Sequence, residues 1–353
     1  MVQRTHHAFS PIYFLVTAVL LSCCACTRAE LVSKADAYDE AIWDSNNKQI
    51  LLNAVRASQR APMSFVGFGD VLASPSFSGS ASITFNLLPS GLSNYSLNPN
   101  VSYAGGFSQF TINNLNHEAF ASAMQKPIKE ELLQHFLRLN WPKEMVNLLL
   151  VHSIEMTKAE FEQLKRMVRN KCDTDGHSRT LEICGQLHED EDLYEQCRAK
   201  EPETAGSHLT ILNSARELCS MNKFQYTMRM FRLLDVEKFP GRRRSPEGIL
   251  YYLGELIAAQ NYSPQPYAPM TFVETGGKRR LVKLFVVERG VSANAAVQVS
   301  FNGESFYIPR PQLGSVEEER SLQVLDLVSQ AIVMATSKDS LPKTNSVSLV
   351  SVR

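Results

Sequence analysis

The sequence predicts an α+β fold: helices through the N-terminal and middle regions, an uncharged β-hairpin segment between them, and a C-terminal α+β module with a small, mostly antiparallel sheet. Three observations lead there. Apolar residues recur at three- and four-residue spacing over much of 29–60 and 117–170, the period of a helix. From Val71 to Asn116 there is no Asp, Glu, Lys or Arg, although such residues make up 20% of the chain, and apolar and small polar residues alternate with the period of a strand. After Arg280, β-branched and aromatic runs precede one amphipathic helix. A length of 353 residues with 44% hydrophobic content suits about two globular domains. The 36 basic residues balance 36 acidic ones, which removes the electrostatic footprint of a general nucleic-acid binder.

The N-terminus reads as an export signal. Arg4 supplies a positive start, Ile12–Leu21 an apolar core, and small residues and cysteines come next. That core is too short for a comfortable membrane span. Leu20-Leu21-Ser22-Cys23 resembles the lipobox of Gram-negative lipoproteins. The resemblance implies acylation of Cys23, with Cys26 as the alternative, and an outer-membrane destination because Cys24 rather than Asp comes after it. An ordinary signal cleaved near Ala29 is the other reading. The chain then divides into a signal at 1–22, N-terminal helices at 23–70, the uncharged segment at 71–116, a helical region at 117–222 and the C-terminal module at 223–353.

Residues 29–60 predict two helical pieces around a polar break at Asp44–Asn47, the second ending before Pro62. Prolines punctuate the middle region, so helices are expected over His117–Gln125, Ile128–Leu139 and Lys143–Ser153. Thr157 and Glu160 form a capping box for a helix to Asn170. Residues 171–222 read as acidic and loop-rich, with a helix near 208–220, and Phe224–Phe231 as a strand. Ser245-Pro246 opens a helix to Gln260. Strands are expected over Leu281–Glu288, Ala296–Phe301 and Glu304–Ile308, the last two joined by an Asn302-Gly303 type I′ turn. Glu318–Thr336 is an amphipathic helix and Val347–Val352 a returning strand.

Within the uncharged segment, Ser76–Leu87 alternates without a fault. Phe77, Ala81, Ile83, Phe85 and Leu87 fall on one face, and Val101, Tyr103 and Phe107 mark a second strand with a slip at Ser108-Gln109. A transmembrane strand needs about 9–11 residues with lipid-facing positions alternating. A charge at the bilayer midplane costs about 2–4 kcal/mol, so these eight residues are candidates to face lipid. A lone hairpin leaves backbone groups unsatisfied in hydrocarbon, so several copies would have to close a barrel. A half-buried soluble strand and a disordered surface loop are the alternatives.

Cys172, Cys184, Cys197 and Cys219 make an even set, expected as two disulfides of open connectivity in an oxidising compartment. No metal is expected, since the paired Cys-x₂-Cys of structural zinc is missing. Arg242, Arg243 and Arg244, just before a helix N-terminus, are candidates for an anion. No nucleophile elbow, zinc motif, P-loop or dinucleotide fingerprint occurs, so no catalytic residue, cofactor or small-molecule substrate is assigned, and an enzyme is not expected.

Lys48–Met63, Ser245–Glu255, Phe301–Pro309 and Arg320–Leu327, with the lipobox and the serine-rich segment, resemble a group of uncharacterised Gram-negative outer-membrane lipoproteins. The plan, a lipid-anchored subunit giving hairpins to a shared barrel, is similar to curli-type secretion channels without a common motif. The resemblance implies a periplasmic body tethered by lipid at Cys23 to the outer membrane. Its partners would be membrane lipid and further copies or other envelope proteins, in a structural, pore or export role. A monomeric lipid-tethered binding or adaptor protein is the alternative.

Overall fold

The computed structural model describes residues 36–37, 39–82, 98–114, 118–198, 207–236, 241–262, 269–275, 278–311 and 320–336. The expected signal segment, both lipidation candidates, residues 83–97 of the uncharged segment and the expected strand at Val347–Val352 lie outside them. The fold is α+β, and every strand pairing among the described residues is antiparallel. Contacts divide the chain into a body, drawn from residues up to 63 and from 122 to 337, and a second unit that holds residues 64–121.

The body opens with α1 (39–58), one helix where two were expected. Asn47 is the reason the break does not form. It is buried on the same face as Ile50, Leu51 and Ala54, and Lys48 bridges back to Asp44 at 2.6 Å. The helix ends with bonds from Arg60 N to Ala57 O (3.1 Å) and from Ala61 N to Arg56 O (2.8 Å). Arg60 itself sits at φ 58°, where glycine is usual.

α2 (Glu118–Gln125), α3 (Glu130–Arg138) and α4 (Lys143–Leu150) are set off by the prolines as expected. α4 stops at Leu150 and runs directly into β3 (Val151–Thr157) instead of continuing to Ser153. With no linker, the last carbonyls of α4 must find donors inside the core. Arg244 supplies them. Its guanidinium donates to the carbonyls of Leu148 (3.0 Å), Leu149 (3.2 Å) and Val151 (2.6 Å) and also to that of Asn213. The amide of Asn213 adds bonds to Leu148 O at 2.7 Å and Val151 O at 2.9 Å. Tyr252 stacks under the guanidinium carbon at 3.9 Å. Burial pulls the Arg244 pKa down to about 10, which leaves it charged at neutral pH.

β3 is the centre of a three-stranded sheet, β4-β3-β5, with β4 at His208–Leu212 and β5 at Gly241–Arg243. The Thr157 capping box opens α5 (Lys158–Thr174), with Glu160 N donating to the Thr157 hydroxyl at 3.2 Å and Thr157 N to the Glu160 carboxylate at 2.6 Å. Three expectations fail in this region, the first being the helix near 208–220, where β4 runs instead and pairs with β3. The acidic stretch forms a continuous α6 (Ser178–Arg198), and Phe224–Phe231 lies within α7 (Leu218–Leu233). Disulfides staple α6 at both ends: Cys172–Cys184 joins it to α5 and Cys197–Cys219 to α7, with Cα atoms 5.9 and 5.2 Å apart. Loops of this size stabilise by about 3 kcal/mol each. α7 misleads because nearly every side of it is buried, Met221, Phe224, Tyr226, Met228 and Met230 included, so no helical stripe survives in its sequence.

α8 (Pro246–Asn261) starts under the expected cap, with Gly248 N donating to Ser245 Oγ at 3.0 Å. It crosses α1 closely: a Cβ on Gly254 would lie 2.7 Å from both Ala57 Cβ and Ser58 N. β6 (Met270–Thr275) pairs with β7 (Lys278–Lys283). The expected strand over Leu281–Glu288 breaks after Lys283 because side chains take its backbone bonds. Gln260 donates to Phe285 O and accepts from Val287 N, Asn261 donates to Val287 O, and Ser321 Oγ accepts from Val286 N. β8 (Glu288–Arg289), β9 (Ala295–Phe301) and β10 (Glu304–Pro309) form a sheet in the order β8-β10-β9. The Asn302-Gly303 turn has the positive φ pair, 51° and 79°, that a type I′ hairpin needs. α9 (Ser321–Ala335) buries Val324, Leu325 and Val328.

The second unit is a two-stranded ribbon of β1 (Val66–Ser82) and β2 (Asn98–Asn114), 17 residues each. Near its base the Phe65 and Phe120 rings meet at 5.3 Å.

Candidate functional site

The ribbon holds most of the sequence's uncharged stretch. Val71–Ser82 of β1 and all of β2 lack charge, and Val71 pairs with Phe110, so the uncharged parts face each other along the ladder. Asp70 belongs to β1 and marks the charged end of the strand. Phe77 pairs with Tyr103, Gly79 with Val101 and Ala81 with Pro99, which sets the apolar positions of one strand against those of the other. Phe107 is the exception, because it pairs with Ser74. The register slips opposite Pro75, at Gly105-Gly106, and again at Gly69-Asp70, instead of at Ser108-Gln109 as expected. Pro75 has no N–H for the ladder, and a glycine pair absorbs the extra residue. Ile83, Phe85 and Leu87 lie outside the described residues.

No third strand pairs with β1 or β2 among the described residues. At about 3.3 Å per residue the ribbon is about 56 Å long, and roughly half of each strand's backbone groups point outward along an open edge. A two-stranded ribbon is marginally stable by itself in water. Among the described residues no helix is long and apolar enough to cross a membrane.

The arginine triplet diverges. Arg244 is enclosed at the α4–β3 junction, Arg243 donates to Ile128 O at 2.9 Å and pairs with Glu130, and Arg242 pairs with Glu155 at 2.7 Å. Three guanidiniums with three separate sets of partners do not form the anion site expected of them. The acidic run of α6 likewise fans out, Asp190 to Arg229 at 2.8 Å and Glu191 to Lys165 at 2.6 Å. Burial raises the Asp190 carboxyl to about 6 despite the guanidinium beside it. No group of three metal-ligating side chains converges among the described residues.

One feature left no local mark in the sequence. A cleft of about 510 Å³ opens beside the α1–α8 crossing, lined by Ala57, Arg60, Pro62, Arg216, Tyr251 and Glu255. Its residues come from the end of α1, the turn after β4 and the middle of α8, so only the folded chain brings them together.

Lys48–Met63, Ser245–Glu255, Phe301–Pro309 and Arg320–Leu327 meet in the body. Gly254 abuts Ala57, Arg56 lies over the Phe301 ring at 5.7 Å, Asn302 donates to Gln59 at 3.1 Å, and α9 packs on α8. No family model, curated protein or solved structure matches the chain.

Proposed function

We propose that this chain is an outer-membrane-anchored lipoprotein whose β1–β2 ribbon gives two strands to a β-barrel closed by several copies, in a pore, export or structural role. The observation that carries the reading is a paired ribbon, uncharged in β2 and from Val71 onward in β1, with both edges open among the described residues. Twelve uncharged residues of β1, Val71 to Ser82, meet the length a membrane strand needs, about 9–11. Unsatisfied backbone groups cost several kcal/mol each in hydrocarbon, and neighbouring ribbons are the simplest donors and acceptors to satisfy them. At two strands per copy, about four copies give the eight-strand barrel whose interior side chains fill it, and about eight give the sixteen-strand size that leaves an aqueous channel. Two disulfides support an oxidising compartment, and the lipobox-like Cys23 supplies the tether.

Membranes carrying a Cys23→Ser variant, washed with alkaline carbonate, test this. Retention after the lipid tether is removed is the expected result. Full release would leave the lipid as the sole membrane element and end the barrel reading.

A further inference from the structure

The cleft beside the α1–α8 crossing has the size of a small-ligand site, within about 300–1,000 Å³. Its electrostatics are lopsided. Arg216 leans on Glu255 at a loose 3.8 Å, Ser214 donates to the same carboxylate at 3.3 Å, and Arg60 has no ion pair among the described residues. Two arginines and one glutamate line the cleft, so the lining carries one net positive charge. Arg60 is also held at a left-handed φ of 58°, a conformation that costs a side-chain-bearing residue roughly 1–2 kcal/mol and that glycine adopts freely. The fold thus keeps a long cation at the cleft rim against a local backbone preference. Tyr251, 48% exposed in the middle of α8, offers an aromatic wall, and Ala57 and Pro62 a small apolar patch.

We infer that this cleft binds the free C-terminal carboxylate of a short peptide. The two arginines take the carboxylate, since a guanidinium fork matches its two oxygens. Glu255 accepts from a peptide N–H, and the Ala57–Pro62 patch and the Tyr251 ring receive a small side chain. A bare inorganic anion would use the arginines alone and leave Glu255 as a repulsive neighbour. The inference is independent of the ribbon and of any oligomer it forms.

Calorimetric titration of the full chain with acetyl-Ala-Ala, its C-terminal amide and inorganic phosphate tests it. The free acid should bind saturably, with the amide and phosphate at least about tenfold weaker, the size expected for losing charge-assisted bonds. Arg60→Gly removes the side chain while suiting the backbone angle, so it should keep or raise the melting temperature and weaken the acid about tenfold or more. Arg216→Ala should weaken it similarly. An acid that does not bind, an amide or phosphate that binds equally well, or an Arg60→Gly variant with unchanged affinity would each overturn the assignment.

Discussion

Phe77 gives the sharpest test of what the ribbon touches. It lies six positions beyond Val71 and five before Ser82, near the middle of the uncharged part of β1. A membrane strand tilted by about 45° advances about 2.3 Å per residue along the bilayer normal, so Phe77 would sit about 14 Å inside, at the midplane of a core about 30 Å thick. Arginine there, on the face that carries the apolar residues, costs about 2–4 kcal/mol per copy, which is roughly 30- to 1,000-fold in an insertion equilibrium. Ser78 is one residue away and belongs to the opposite face. Phe77→Arg and Ser78→Arg, each in a Cys23→Ser background, should therefore separate in carbonate-washed membranes: the first released, the second retained. Equal behaviour of the two variants would show that the alternation of this strand does not distinguish lipid from water, and the reasoning would fail.

Three expected outcomes concern the body. Arg244→Met removes the guanidinium from four carbonyls and leaves the Asn213 amide as a side-chain donor to Leu148 and Val151 alone, so it should lower stability by about 3 kcal/mol, measured by urea unfolding; Arg244→Lys should not rescue it, because one ammonium cannot reach four carbonyls. Gly254→Ala gains about 1 kcal/mol in helix propensity but meets α1 backbone at 2.7 Å, so a net loss of about 1–2 kcal/mol is expected; a gain would show that the helices part freely. Asp190 has a folded pKa of about 6, above its unfolded value, so its protonated form favours folding. That contribution, up to about 3 kcal/mol, is complete below about pH 4 and lost as pH rises through 6, and Asp190→Asn should flatten the slope over that window in thermal melts.

Local chemistry was legible in the sequence where a signal needs only neighbours. The Thr157–Glu160 box, the Ser245-Pro246 start and the Asn302-Gly303 turn all form as read, because caps and turns are settled within four residues. Tertiary context hid the rest. α7 is buried on nearly all sides, and the α4–β3 junction depends on Arg244, about a hundred residues away in sequence. The break after Lys283 is made by Gln260, Asn261 and Ser321, none of them in the segment they reshape. Arg243 and Arg244 looked like a free basic cluster for the same reason: their partners, Glu130 and the end of α4, arrive only on folding. The uncharged ribbon was visible because it combines a compositional absence with a strict period, and its pairing came with it; the slip at Pro75 was not, since the glycine pair that absorbs it lies on the other strand.

Copy number is the quantity on which the proposed shared barrel stands. Native mass spectrometry of the full chain, released from membranes in mild detergent, measures it directly. An assembly of about four or more chains, lost in Phe77→Arg and kept in Ser78→Arg, is the expected result. A particle with the mass of a single chain in every detergent that preserves the fold would contradict it.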